Sequence, residues 1–129
     1  MVNDSKGQIS LELVLLIGLV FVIVMAIAPY IGENIELNQV MSAARMGFIN
    51  ASNDIAYNGT GNAIQFKNMT FNNGTIKLTF YSKKELTQDN IDYIQSRTLN
   101  EISKMLNTNV TNGSVKGRYT YTLILNNVV

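Results

Sequence analysis

Few residues in this chain are equipped for chemistry, and what is missing narrows the field first. The 129 residues include no Cys and no His. The usual ligand sets for zinc, haem and iron–sulfur clusters are therefore lacking, as are Ser–His and Cys–His nucleophile pairs. Carboxylates remain. Glu85, Asp89, Asp92 and Glu101 are the notable ones, but they read better as the start and solvated face of a helix, where acidic groups suit the positive end. Tyr119 and Tyr121 alternate with threonines as a strand face does, and for them a stacking or sugar platform ranks below core packing. No enzyme and no cofactor is expected. Lys and Arg number 10 against 9 Asp and Glu, a net charge of +1, which gives no field for a nucleic acid.

Asparagine carries a different chemistry. There are 17, more than Lys and Arg together. N-glycan acceptors follow the pattern Asn-x-Ser/Thr with x not proline. Seven such sites occur: Asn3, Asn50, Asn58, Asn68, Asn73, Asn109 and Asn112. With 18 Ser and Thr in the chain, roughly 2.4 would arise by chance. The excess points to real N-glycosylation beyond Asn3, which would place the acceptor-bearing part outside the cell. The competing explanation is an Asn-rich composition whose Asn-Gly turns happen to precede Thr or Ser.

The elements that must carry these groups start with a long apolar run. Residues 13–32, LVLLIGLVFVIVMAIAPYIG, contain no charge. As a helix they span about 30 Å, the hydrocarbon thickness of a bilayer. The run is apolar on every side, so it requires lipid or complete burial in protein. A cleaved secretory signal would have a basic start and a shorter apolar core; here the preceding segment carries both Asp4 and Lys6. Past the run, Val40, Ala44, Phe48, Ala51 and Ile55 fall at steps of three or four, an amphipathic helix. Asn38, Ser42, Arg45, Asn50 and Asp54 mostly take the other face. Pro29 is expected to kink the helix without ending it. Gly18 and Gly32 permit close helix approach or are filler. The spacing predicts one helix over 8–57, with 8–32 as the membrane or assembly segment, 33–57 amphipathic, and a stop at Asn58-Gly59-Thr60-Gly61.

The start of that helix reads KGQISLELVLL from Lys6. This resembles the archaeal class III signal peptide of type IV pilin-like proteins, pattern QxSxExxxL, with Gln8, Ser10, Glu12 and Leu16 in the matching places after Lys6-Gly7. The resemblance covers about the first 25 residues. It implies that residues 1–7 are a leader, removed before Gln8 by a membrane prepilin peptidase, and that the apolar helix stays with the mature protein. Glu12 then lies four residues, one helical turn, from the new α-amine. It can neutralise its own terminus or a neighbouring copy's, or simply sit in the headgroup layer. An N-terminal glutamine can also cyclise, removing the amine. The archaellins share the leader, but their glycine-rich start differs from QISLEL. Basic residues near the span only faintly favour a cytoplasmic N-terminus.

Residues 58–129 read as a small α+β head. Segments 63–67 and 76–81 alternate, with Asn72-Asn73-Gly74 between them as a hairpin turn. Met69 and Phe71 fall on the opposite parity from Ile64 and Phe66, which calls for a bulge or an early strand end. Either Ser82, in a capping box with Glu85, or Thr87 starts a helix carrying Ile91, Ile94, Leu99, Ile102, Met105 and Leu106. Asn112-Gly113 marks a turn, and 115–125 reads as one strand. A head of this size has little core of its own, so its sheet is expected to pack on the Val40–Ile55 face. The fold class expected is therefore α+β and pilin-like: a long N-terminal helix whose C-terminal half packs on a small antiparallel sheet with one further helix.

The function this implies is structural. The chain is expected to be a pilin of an archaeal type IV-like surface pilus, a homo-oligomeric filament serving attachment. Its partners would be the peptidase, the assembly machinery, the membrane before assembly, and N-glycans. The alternative is a single-pass, glycosylated surface protein with a binding head that does not polymerise.

Overall fold

The computed structural model describes residues 4–128; Asn3, the first candidate acceptor, lies outside them. The chain forms two compact units, Met1–Ile35 and Glu36–Val129. Helix α1 covers Asp4–Ile55 and continues through Pro29. It therefore starts before the expected Gln8. Asp4 and Ser5 suit a first turn, and nothing between them and Gln8 breaks a helix except the single Gly7, at a cost of about 1 kcal/mol against alanine. A short π-helical turn, Ala56–Thr60, follows, and Gly61 ends it with a left-handed φ of 58°.

The second unit holds a five-stranded sheet and a second helix. The strands are β1 (Ile64–Asn72), β2 (Thr75–Ser82), β3 (Val110–Thr111), β4 (Ser114–Lys116) and β5 (Thr120–Asn127), and helix α2 is Gln88–Leu106. Their spatial order is β1-β2-β5-β4-β3. The β1–β2 hairpin turns on Asn73 (φ 46°) and Gly74 (φ 87°), conformations that Asn and Gly adopt at least cost. The β3–β4 hairpin turns on Asn112 (φ 50°) and Gly113 (φ 71°) in the same way. The parity change in β1 is resolved by a bulge between Phe66 and Asn68, which returns Met69 and Phe71 to the inner face.

Two expectations are corrected here, and one open choice is decided. The sheet is mixed, because its central pair β2–β5 is parallel, Thr75 opposite Thr122 through Phe80 opposite Asn127. Parallel pairing needs a long crossover, and the stretch containing α2 supplies it. Segment 115–125 is two strands, since Val115 pairs back onto Tyr121 across a tight loop at 117–119. Finally, Thr87 caps α2 by accepting from the Asn90 amide at 3.3 Å. Ser82 is instead buried, where its hydroxyl donates to Asn62 Oδ1 at 3.3 Å and to the Lys84 carbonyl.

The core of this unit is one layer of helices on one face of the sheet. Val40, Ala44, Phe48, Ala51 and Ile55 are all 0–5% exposed. Opposite them lie Ile76, Leu78 and Phe80 of β2, Tyr121 and Leu123 of β5, and Ile94, Leu99 and Ile102 of α2, all buried. Met105, at the same helical spacing, is 47% exposed. Phe48 packs its ring 5.4 Å from Phe80 and 6.1 Å from Phe66. The amphipathic half of α1 thus supplies the layer that the sheet lacks.

Candidate functional site

The N-terminal unit offers a surface instead of a pocket. Across 9–31 every large apolar side chain is between 46% and 72% exposed. Mean hydropathy reaches 3.0 over an 18-residue window, none of it buried. The largest apolar patch of a typical soluble monomer covers roughly 300–600 Å², and this band far exceeds that. Among the described residues it is the one helix long and apolar enough to cross a membrane, which makes the chain compatible with membrane anchoring. A Cβ added at Gly18 would meet nothing within 4 Å, so this glycine makes no close approach within the monomer.

The residues that match the QxSxExxxL pattern lie along the first turns of α1. Lys6 and Gly7 fall inside the helix, and Gln8, Ser10, Glu12 and Leu16 are all exposed on it. The bond between Gly7 and Gln8 is therefore helical, beside the weakest helix former of the stretch. Glu12 stands among exposed Ile9, Leu11, Leu13 and Leu16, the single acidic or basic group between Gly7 and Gly32.

The second unit carries the candidate acceptor asparagines. Asn73 and Asn112 project from the two hairpin turns, Asn58 from the π-helical turn, Asn68 from edge strand β1 and Asn109 from the residue before β3, all exposed. Asn50 differs. It is half-buried on α1, and Ser52, the hydroxyl of its motif, is 5% exposed with no hydrogen-bond partner. The acidic residues of α2 are spread along its surface. Asp92 accepts from Gln88 Nε2 at 2.9 Å, and Glu101 pairs with Lys104 at 3.5 Å.

A polar anchor that the sequence reading did not single out fixes α1 to the sheet. Glu36 Oε1 accepts from the Tyr121 hydroxyl and from the Arg118 amide, each at 2.8 Å, while Oε2 faces Arg118 Nε at 3.7 Å. Gly117 leaves the room: a Cβ there would lie 2.7 Å from Glu36 Oε1. Tyr119 meets the Phe71 ring edge-on and Tyr121 meets it tilted, with centroids 5.3 and 6.1 Å away, so core packing accounts for both.

Burial, together with the bond to Glu36 and its charge, holds the Tyr121 proton well above the usual 10.0. The folded pKa is raised, so this contribution to stability is complete below pH 10 and lost as pH climbs toward the folded value. Alkaline titration of the head, followed by near-ultraviolet circular dichroism, should show stability falling from about pH 10. Tyr121→Phe should be less stable at neutral pH and fall less steeply above pH 10; an identical alkaline slope would refute the assignment.

The chain matches no protein-family model, no curated protein and no solved structure.

Proposed function

We propose that this chain is a prepilin, cut before Gln8 and then built into an archaeal type IV-like surface filament through its N-terminal helix. The observation that carries the reading is the band over 9–31, apolar on every side and bare in the monomer. Burying each large apolar side chain is worth about 1.5–3 kcal/mol, so the band as a whole strongly disfavours water. Lipid satisfies it first. Leaving lipid is favourable only if copies of the same helix take its place, which is what a filament core supplies. The motif at Gln8, Ser10, Glu12 and Leu16 supports the same reading, as does the α+β head on the second half of α1. Exposed acceptors at Asn58, Asn68, Asn73, Asn109 and Asn112 suit an extracellular, glycan-coated exterior that contacts surfaces.

Mass spectrometry of sheared surface filaments tests this directly. The chain should be present and begin at Gln8, either free or cyclised. Recovery solely as detergent-soluble monomers would instead establish the anchored, non-polymerised surface protein. The same spectra test the acceptors. Asn50 should be the least occupied, because an enzyme acting on the folded head cannot reach the Ser52 hydroxyl. High occupancy at Asn50 would mean that modification precedes folding.

A further inference from the structure

The outer face of α1 in the head is less polar than an exposed helix face requires. Met46 is 55% exposed and Ile49 38%. With Ser42, Arg45 and Asn50 they line a shallow groove of about 250 Å³. These five positions are spaced i, i+3, i+4, i+7 and i+8, a single strip of helix surface. Arg45 is the only charge in it. Its guanidinium lies 5.1 Å from the centre of the Phe66 ring, and among the described residues no carboxylate stands within ion-pair reach.

The same spacing recurs in the apolar segment. Ile9, Glu12, Leu13, Leu16 and Ile17 form a strip of identical pattern, all exposed. Every face of that segment is apolar, but only this one carries a charge, and the charge is opposite to that of Arg45. Building on the pilin reading, we infer that the Glu12 strip of one copy lies in the Arg45 groove of another. The two strips run in the same direction, as helices do in a filament of uniform polarity. Glu12 then meets Arg45, Leu13 meets Met46 and Leu16 meets Ile49.

Three physical arguments bear on this seat. A carboxylate enclosed by apolar helices without a partner is costly. A guanidinium offers two parallel N–H groups to both carboxylate oxygens, and the Phe66 ring holds it in place beforehand. The half-buried Asn50 with its inaccessible Ser52 also leaves the groove clear of a glycan.

The test uses the full chain in cells that assemble it. Arg45→Glu should reduce the yield of sheared filaments at least about tenfold, since like charges across an interface are strongly disfavoured. Cleavage before Gln8 and protease resistance of the head should be unchanged. Arg45→Lys, which keeps the positive charge, should assemble far better than Arg45→Glu. Because the chain has no Cys, register can be read separately. Oxidised filaments carrying Leu13→Cys and Met46→Cys should give covalent ladders, whereas Leu13→Cys with Asn38→Cys should not. Wild-type yield from Arg45→Glu, or ladders from the second pair alone, would overturn the inference while leaving the pilin reading intact. If the unmodified chain forms no filament, both fall together.

Discussion

Gly47→Ala is expected to destabilise the head by about 1–3 kcal/mol, and Gly47→Leu to keep α2 from docking on α1. A Cβ at this position would sit 2.8 Å from Thr98 Cα, 3.1 Å from Glu101 Cγ and 3.2 Å from the Arg97 carbonyl oxygen. Two of those three atoms are backbone, so no rotamer change relieves the contact. On an exposed helix face the same substitution would gain about 1 kcal/mol in helix propensity. Here crowding opposes that gain and outweighs it. For a unit of this size each kcal/mol lowers the melting midpoint by about 4–8 °C. Thermal melts of the full chain in detergent, followed through the signal of the sheet, read the effect. Thr98→Gly should not rescue Gly47→Ala, because the clash is with Cα and not with the threonine side chain. A Gly47→Ala chain melting at or above wild type would contradict this packing.

The second large effect is expected one residue later. Phe48→Ala should cost about 3–5 kcal/mol, since Phe48 is 1% exposed and its ring meets Phe66 and Phe80. Small domains have only about 5–15 kcal/mol in total, so such a head would be open to protease in the detergent-solubilised full chain. Ile49→Ala, adjacent but 38% exposed, should leave protease resistance near wild type. Equal resistance of the Phe48→Ala and wild-type heads would show that α1 does not form the layer under the sheet.

How much of this was legible beforehand depends on the range over which each residue acts. The inward stripe Val40, Ala44, Phe48, Ala51 and Ile55 was readable from spacing alone, because one helix face repeats locally. The two Asn-Gly turns were readable because their left-handed backbone is a property of two adjacent residues. The parity change within β1 called for either a bulge or an early strand end, and the choice between them was not legible in one strand. What sequence hid is non-local. Gly47 looks like filler until Thr98 is set against it, some fifty positions away. Glu36 looks like a charge flanking the apolar run until Tyr121 and Arg118 arrive to bond it. The parallel β2–β5 pair and the loop that splits 115–125 depend on which strand lies next to which. At the N-terminal junction the motif and the exposed band are both local in origin, so both could be read directly; the groove at Met46 and Ile49 needed the fold to say which face turns outward.

The bulge in β1 has a bearing on crowding. β1 is an outer strand of the sheet, with main-chain groups along one side that a stranger's strand could zip onto. The extra residue there throws any incoming ladder out of step, and Lys67, exposed at that spot, sets a positive charge in its path. In the proposed filament, neighbouring heads can therefore stay separate folded beads, with no drift toward one continuous amyloid-like ribbon.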